Sequence, residues 1–168
     1  MPGGFKQNMD IKFNKASDFK RGLLFDLLSD AYSFDSKYLN NDTFREFDDF
    51  WFDNLDIADR CSFITTLNGE AIGFVSWDPR NLPEHVIIGH NCIASKYKGK
   101  GYGKLQLQEA INRITKNSVK KIYVSTDDAL IPAQKMYESV GFIRLEKSEL
   151  EAWQIEQNCD IYYGMDIV

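Results

Sequence analysis

Apolar residues recur along the chain with the two spacings that distinguish strands from helices. Alternating apolar positions predict an opening strand over residues 9–14. Helical spacing then predicts a helix that begins at an N-cap, Ser17, and runs through Ala31, and a second helix over about residues 41–55. We therefore expect one strand and two helices in the first third of the chain.

The middle of the chain carries the pattern of a β-hairpin. Strand-like runs over residues 61–67 and 71–77 flank the dipeptide Asn68-Gly69. Asn-Gly is the strongest short hairpin signal, because both turn residues need positive φ. A loop with two prolines, over residues 78–84, is expected to follow.

The second half of the chain alternates strands with helices. The same patterns predict strands over residues 86–94, 121–126, 142–145 and 161–167, and helices over residues 105–117 and 131–140. The chain has 168 residues, of which 43% are hydrophobic and 14% aromatic. This length and composition indicate a single α/β domain over residues 1–168 with room for a core.

Residues 98–104 form a glycine-rich loop between a predicted strand and a predicted helix. Backbone N–H groups at a helix N-terminus have no partner and attract anions. Glycine allows positive φ and a close approach of the backbone to a ligand, and lysines add positive charge. The loop contains Lys98, Gly99, Lys100, Gly101, Tyr102, Gly103 and Lys104. Its composition predicts a site for a phosphate-bearing ligand.

Two common nucleotide-binding motifs do not fit this loop. A dinucleotide fold needs G-x-G-x-x-G, whereas the glycines here read G-x-G-x-G. A P-loop needs four residues between its glycines and then Lys-Ser/Thr, whereas three residues separate Gly99 from Gly103 and Leu105 follows Lys104. Taken alone, the loop is equally consistent with a flexible surface turn rich in Gly and Lys.

The neighbours of the loop resemble those of a known family. The loop, entered from a strand, resembles the acyl-CoA pyrophosphate loop of the GNAT superfamily of N-acetyltransferases. About 30 residues later, residues 132–142 resemble the second signature of that family, a short helix with Ala133 and Tyr137 four apart that ends at Gly-Phe. The resemblance covers residues 71–145. It departs from the family at Lys98, where Arg or Gln is usual, and lacks the Asn often found two or three residues before Ala133.

The resemblance implies a fold and a cosubstrate. The fold is α/β (α+β), a GNAT-type mixed central sheet of about six to seven strands with helices on both faces. Two strands, over residues 84–94 and 121–126, are expected to splay apart around acetyl-CoA. Its pyrophosphate is expected on residues 98–104 and its pantetheine arm on the backbone near Cys92 and Ile93, with Ala133 also in the cofactor-binding set. No metal is expected.

The resemblance also implies direct attack of an amine on the thioester. Tyr137 lies where the family has the tyrosine that protonates the departing thiolate, although an aromatic residue on an apolar helical stripe is also what a core provides. His90 is the candidate base because its reference pKa is suitable, although a lone histidine in a strand is more often a hydrogen-bonded structural residue. The rival bases are Glu84, Asp127 and Asp128. Cys92 suggests a covalent alternative, or simply a small buried hydrophobe.

Net charge and cysteine content indicate which partners and which cellular compartment to expect. The formal net charge is −5, which argues against a nucleic-acid partner and agrees with a cationic small molecule. The three cysteines, Cys61, Cys92 and Cys159, have no metal-ligand spacing, and we find no signal peptide and no apolar run of membrane-spanning length. We therefore expect a cytoplasmic protein with reduced thiols and no membrane partner.

The acidic and aromatic segment 32–56 falls where the family builds its acceptor wall. Its acidic residues are Asp35, Glu46, Asp48, Asp49 and Asp53. Carboxylates and aromatic faces suit a cationic amine, and a solvated helix with a buried aromatic stripe has the same composition. The prediction is an N-acetyltransferase for a small cationic primary amine, with a homodimer left open. The alternatives are a non-catalytic acyl-CoA sensor or scaffold, and an enzyme that acetylates a protein N-terminus or lysine.

Overall fold

One mixed β-sheet runs through the centre of the structure, a computed structural model that describes residues 9–38, 42–152 and 159–168. Within those ranges the sheet has seven strands in the order β1-β2-β3-β4-β5-β7-β6. The strands are β1 (Ile11–Asn14), β2 (Ser62–Leu67), β3 (Glu70–Asp78), β4 (His85–Ile93), β5 (Lys121–Thr126), β6 (Ile143–Arg144) and β7 (Ile161–Asp166). All neighbouring strands pair antiparallel except β4 and β5, which are parallel.

Helices cover both faces of this sheet. They are α1 (Leu23–Ala31), α2 (Asp42–Asp53), α3 (Leu55–Cys61), α4 (Tyr102–Ile114), α5 (Ile131–Val140) and α6 (Lys147–Ala152). Successive strand residues point to opposite faces, so Phe63 and Val75 pack with the core under α4 and α5, whereas Ile64 and Phe74 pack with the core under α1, α2 and α3. The predicted mixed sheet with helices on both faces is confirmed.

The hairpin and the strand–helix alternation of the second half also follow the predicted pattern. β2 and β3 are joined by Asn68 and Gly69, whose φ angles are 50° and 87°. α5 ends at Gly141, which has φ 110° and so provides the left-handed residue that commonly ends a helix.

The first helix differs from its prediction. It begins at Leu23 rather than near Ser17, which lies instead in a short 3-10 turn, Ala16–Asp18. The reason is a cap from a distant part of the chain. The carboxylate of Asp48, on α2, accepts hydrogen bonds from the backbone N–H groups of Gly22, Leu24 and Phe25 at 2.9, 2.9 and 3.2 Å. The unpaired N–H groups of the first turn are thus satisfied from 23 to 26 positions away.

The structure differs from the prediction at two further places, an interrupted helix and a helix that was not predicted. The predicted helix over residues 41–55, whose first residue lies outside the described ranges, is interrupted at Asn54, and a separate helix, α3, follows it. The pattern missed α6 altogether, because six residues are too short to show a helical period.

Asp48 provides a direct test of the packing between α1 and α2. Asp48→Ala leaves three backbone N–H groups near a buried position without an acceptor, so we expect the free energy of unfolding to fall by about 3 kcal/mol. Urea unfolding measures this change.

Asp56→Ala serves as the control for Asp48→Ala, because Asp56 is exposed and forms only a loose ion pair with Arg60 at 3.7 Å. This control is expected to change stability by less than about 0.5 kcal/mol. Equal losses in the two variants would contradict the capping role of Asp48.

Candidate active site

The parallel strands β4 and β5 separate partway along their length. Their pairing runs from His85 opposite Lys121 to Ile88 opposite Val124. Beyond that point, residues 89–93 of β4 and the last two residues of β5 have no partner across the gap among the described residues. The predicted splay is therefore present, and it exposes an edge of unpaired backbone.

The register with β3 decides which backbone groups face this opening. The N–H group of Ala94 donates to Ile72 on the β3 side at 2.7 Å. Because alternate residues of an antiparallel pair face the partner strand, the peptide groups of Ile93 turn toward the opening. Those of Cys92 face β3, and its carbonyl accepts a hydrogen bond from Gln106 Nε2 at 3.2 Å. Of the two predicted backbone contacts, the geometry therefore favours Ile93.

A buried polar network fixes α4 against the sheet beside the opening. Gln106, which is fully buried, donates from Nε2 to the Phe74 carbonyl and to Asn91 Oδ1, both at 2.8 Å. Its Oε1 accepts from the Thr65 hydroxyl at 2.6 Å. Asn91 Nδ2 in turn donates to the Gly103 carbonyl at 3.3 Å. Our sequence analysis missed Asn91 and Gln106, although a polar residue amid apolar strand or helix positions is a usable signal.

The glycine loop leaves its backbone N–H groups without an acceptor among the described residues. Gly99 and Gly101 have φ angles of 76° and 86°, and Gly101 is the N-cap of α4. Gly103 lies in the first turn of α4, where an added Cβ would come 3.3 Å from Met136 Sδ. Among the described residues, no carbonyl accepts a hydrogen bond from the N–H groups of residues 99–104. The predicted anion-binding geometry is therefore available.

The three lysines of the loop differ in what they contact. Lys98 Nζ donates to the Ala31 carbonyl at the end of α1 and lies 4.9 Å from the centroid of the Phe34 ring, and burial lowers its pKa. Lys100 lies 5.8 Å from the Tyr97 ring centroid, and Lys104 is exposed. Lys98 Nζ already has a partner within the protein, whereas Lys104 is exposed, and the phosphate-binding role of all three lysines stays a prediction.

Tyr102 contributes to the loop through its backbone rather than its side chain. Its ring is buried, and its hydroxyl donates to Met9 Sδ at 3.1 Å. Its N–H is one of the unpaired groups of residues 99–104, so the phenol serves packing and the peptide group stays the candidate ligand contact.

Tyr137 lies on α5, facing the core that α4 and α5 share. The residue is 5% exposed, and its ring packs against Phe142 and Tyr163 at centroid distances of 5.9 and 5.8 Å. Burial raises the pKa of its hydroxyl, which therefore remains protonated at neutral pH. No described residue hydrogen-bonds to this hydroxyl. Ala133, one turn earlier, packs against the same core.

His90 lies on the opposite face of β4, inside an aromatic enclosure. The rings around it belong to Tyr32, Phe44, Phe47 and Phe74, with Phe47 closest at a centroid distance of 4.9 Å. Burial lowers the pKa of His90 to about 4, so the imidazole is neutral at neutral pH. A neutral imidazole can accept a proton, but this burial makes it a weak base. Its catalytic role stays a prediction.

Tyr32 links His90 to the other groups around the opening. Its hydroxyl lies 3.5 Å from His90 Nδ1. Burial raises the pKa of the Tyr32 hydroxyl, and the neighbouring Cys92 and Tyr137 raise it further. Tyr32 therefore stays protonated beside the candidate base. The sequence analysis included Tyr32 in the predicted acceptor segment, but nothing in the sequence indicated that its hydroxyl would lie beside His90.

Cys92 has the environment of a packing residue. The thiol is buried, and burial raises its pKa to about 12. Because the thiolate is the nucleophile in cysteine catalysis, this environment disfavours the covalent alternative.

The carboxylates that are alternative candidate bases lie at opposite ends of the paired strands β4 and β5. Glu84 pairs with Lys120 at 2.8 Å just before β4, at the end where β4 and β5 are still paired. Asp127 directly follows β5 at the open end, where it accepts hydrogen bonds from the Tyr38 hydroxyl and Lys37, and the Tyr38 bond lowers its pKa most. Asp127 and the next residue, Asp128, therefore lie at the open end of the strands, whereas Glu84 lies at the paired end.

The predicted acidic wall is largely used for structure. Asp48 caps α1, and Asp49 and Asp53 both pair with Arg21. Asp35 accepts a hydrogen bond from the backbone N–H of Lys37 at 3.0 Å. Among these carboxylates, Asp48 is committed to the cap of α1, whereas the pairs that Asp49 and Asp53 form with Arg21 are about half exposed to solvent. The attraction of a cationic substrate by this segment stays a prediction.

The described ranges contain no group of three or more His, Cys, Asp and Glu side chains that could hold a metal ion. Every helix within residues 9–38, 42–152 and 159–168 is too short or too polar to span a membrane.

A family profile described as the acetyltransferase (GNAT) family matches residues 23–142. The chain belongs to this family. It is therefore an acyltransferase, and the match includes α1, the separated strands, the glycine loop and the helix with Tyr137.

Solved structures agree in fold. An acetyltransferase from Streptococcus agalactiae 2603 is 19% identical and covers 96% of this chain and 99% of its own, with a TM-score of 0.74. A GNAT family acetyltransferase from Elizabethkingia anophelis with acetyl-CoA bound is 20% identical and covers 96% of this chain and 100% of its own, with a TM-score of 0.64.

A curated relative extends the comparison in sequence. N-acetylaspartate synthetase from Danio rerio is 27% identical over 89 residues, which cover 53% of this chain and 32% of that protein. The chain thus matches about a third of the length of this relative.

The low pKa of His90 predicts a specific dependence of stability on pH. The folded-state pKa, about 4, lies below the ordinary value of 6.5. Between these values the unfolded chain binds a proton that the folded protein does not, so stability falls as pH falls through 6.5 and levels off below 4.

Replacing the imidazole removes this dependence. Urea unfolding measures the free energy of unfolding at pH 7 and at pH 5. Between these pH values the unaltered protein is expected to lose about 2 kcal/mol more of this free energy than the His90→Phe variant does. Every other titrating group is common to the two proteins and cancels in the comparison. Parallel losses would contradict the buried, neutral state of His90.

Proposed function

We propose that this protein transfers the acetyl group of acetyl-CoA to the primary amine of a small molecule, by direct attack within a ternary complex. The observation that carries the proposal is the opening between β4 and β5. It combines unpaired backbone, a glycine loop with outward N–H groups at one side, and Tyr137, Tyr32 and His90 around it. Thioester aminolysis needs a binding surface for the acyl donor, a proton donor and a proton acceptor, and these features are candidates for the three roles.

Two parts of the proposed acyl donor, acetyl-CoA, match two parts of this opening. The N–H groups of residues 99–104 and the positive end of α4 suit a pyrophosphate, with Lys100 and Lys104 as point charges. The outward peptide groups of Ile93 suit the amides of a pantetheine arm, which can pair with β4 as an added strand would. The acetyl-CoA bound by the Elizabethkingia anophelis neighbour supports this choice of donor.

The chemistry requires two proton transfers. The amine nitrogen forms a bond to the thioester carbonyl carbon, the carbon–sulfur bond breaks, and the electron pair leaves with sulfur. Tyr137, protonated and without a hydrogen-bond partner among the described residues, donates its proton to that thiolate. The amine loses one proton, for which His90 is the candidate acceptor directly or through water, and this proton balances the one that Tyr137 gave.

We propose a small cationic molecule as the acceptor. The support now comes from aromatic faces rather than from the acidic residues of α2. Phe34 is 57% exposed, and the rings of Tyr32 and Tyr38 lie 6.5 and 6.0 Å from it. Aromatic faces attract cations, and the carboxylate of Asp127 lies beside Tyr38.

An amino-acid acceptor is the second candidate. The match to N-acetylaspartate synthetase favours it, because that relative is named for acetylating an amino acid. A non-catalytic acyl-CoA sensor is disfavoured by the retained phenol of Tyr137. An acceptor panel that includes aspartate separates these candidates.

Gly101 tests the loop assignment. Gly101→Val places a β-branched residue at φ 86°, beside the outward N–H groups, so we expect acetyl-CoA affinity to fall about tenfold or more. Titration calorimetry measures the affinity.

Gly69→Val is the matched control, because Gly69 has φ 87° and, like Gly101, no atom within 4 Å of an added Cβ. Both variants carry similar backbone strain, but only the loop variant is expected to lose affinity. Unchanged affinity in folded Gly101→Val would refute the pyrophosphate site.

Tyr137 tests the proposed reaction. Thiol release from acetyl-CoA is followed with a panel of small amines, amino acids and a lysine peptide, for the protein and for Tyr137→Phe. The variant keeps the buried ring and loses the proton donor, so we expect kcat to fall about 100-fold while acetyl-CoA affinity holds. Normal turnover by the variant on the best acceptor would show that Tyr137 is a packing residue, and no turnover by the unaltered protein would defeat the proposed function.

A further inference from the structure

The side-chain ammonium group of Lys37 lies beside the active-site opening. Lys37 Nζ is 3.3 Å from Asp127 Oδ2 and 4.8 Å from the centroid of the Tyr38 ring. The Tyr38 hydroxyl donates to the same carboxylate oxygen. A cation is thus held between a carboxylate and an aromatic face, which is an arrangement that recognises alkylammonium groups.

This arrangement is connected to the proposed reacting centre by two rings. Tyr38 packs on Tyr32 at a centroid distance of 5.0 Å, and the Tyr32 hydroxyl lies 3.5 Å from His90 Nδ1. Asp127 follows the last residue of β5, on the side of the gap opposite β4. A molecule that reaches from His90 past Tyr32 and Tyr38 therefore arrives at Asp127.

The charge of the acceptor nitrogen imposes a constraint. A nitrogen that attacks a thioester must be neutral, whereas a nitrogen held by an ionised carboxylate is protonated. One nitrogen cannot satisfy both conditions at once. A carboxylate beside the acceptor path is therefore suited to a second cationic group of the acceptor, away from the amine that reacts.

We propose that Asp127 binds a second, non-reacting ammonium of the acceptor, so that the acceptor is an alkyl diamine, and that Lys37 occupies this position in the free protein. The inference rests on the proposed function and specifies its substrate class. Lys37 is readily displaced, because its side chain is 51% exposed and an ion pair of that kind contributes little to stability. The alkyl chain of the diamine packs along the rings of Tyr32 and Tyr38.

The chain contains a matched control for this site. Ser36-Lys37-Tyr38 and Ser95-Lys96-Tyr97 are identical tripeptides, and each forms a short 3-10 turn. Lys96 lies 5.2 Å from the Tyr97 ring centroid, and the Tyr97 hydroxyl donates to Glu70 as Tyr38 donates to Asp127. Lys96→Met therefore removes a cation beside a tyrosine ring, and Glu70→Gln neutralises a carboxylate that accepts from a tyrosine hydroxyl, without touching the end of β5.

The test compares kcat/KM for diamines of three to six carbons, n-butylamine and 4-aminobutanoate. We expect a diamine to exceed n-butylamine about tenfold or more and the amino acid to be poorest, because its carboxylate is repelled by Asp127. Asp127→Asn is expected to reduce the diamine-to-monoamine ratio about tenfold, whereas Glu70→Gln leaves the ratio unchanged. Lys37→Met is expected to raise kcat/KM for the diamine up to about fivefold, and Lys96→Met to leave it unchanged.

The failure of this proposal is distinguishable from failure of the proposed function. Acetylation of monoamines without a diamine preference, or a ratio that Asp127→Asn does not change, would overturn the diamine site and leave the acetyltransferase assignment intact. Aspartate as the best acceptor would do the same. Absence of turnover with every amine, together with calorimetric binding of 1,4-diaminobutane to the CoA-bound protein that Asp127→Asn abolishes, would retain the site and defeat the proposed reaction.

Discussion

The loss of hydrogen bonding between β4 and β5 beyond Ile88 and Val124 is the constraint on which the rest of this structure depends. A central pair of parallel strands normally satisfies the backbone groups of both partners. Here the sheet leaves a stretch of polar backbone unpaired in its middle. The irregular pairing of β3 with β4 between Val75 and Trp77 lies next to this point and turns the end of β4 relative to its start. An extended polar ligand is the natural partner for such an edge.

The opening requires a rigid neighbour, and the network around Gln106 provides one. An amide buried among β2, β3 and β4 is costly unless every polar atom is satisfied. Here the Gln106 side chain bonds to Thr65, Phe74, Asn91 and Cys92. Because these bonds reach three strands, they set the position of α4, and with it the direction of the N–H groups at its N-terminus. The loop conformation and the helix position are thus two separate requirements for the proposed anion site.

The acceptor side is built differently, from aromatic rings and a few polar contacts that connect α1 to its surroundings. Lys98 bonds to the end of α1, and Ser95 bonds to Asp30, so the entrance to the glycine loop is tied to the helix that precedes Tyr32. Tyr38 then connects the following segment to Asp127 at the end of β5. The segment from Tyr32 to Tyr38 is therefore attached near the glycine loop through α1 and to the end of β5 through Asp127.

The sequence by itself determined the features that depend on residues close together in the chain. Asn68-Gly69 specifies a hairpin, and Gly99 and Gly101 specify positive φ before a helix, because few other residues adopt that conformation readily. Alternating and helical apolar spacing identified most strands and helices, since one buried face imposes one period. Family membership followed from two such local motifs in the right order.

Only the tertiary structure decided which distant residues meet. The start of α1 depends on Asp48, the neutral state of His90 on the rings packed around it, and the partner of Lys98 on the end of α1. The carboxylates of α2 looked like a substrate wall because their sequence shows charge, whereas the folded chain shows partners such as Arg21. Burial and pairing are properties of the space around a side chain. A linear pattern contains the side chain but not that space. The conformation of the glycine loop was therefore predictable from the sequence, whereas the contacts of His90, Lys98 and Asp48 were not.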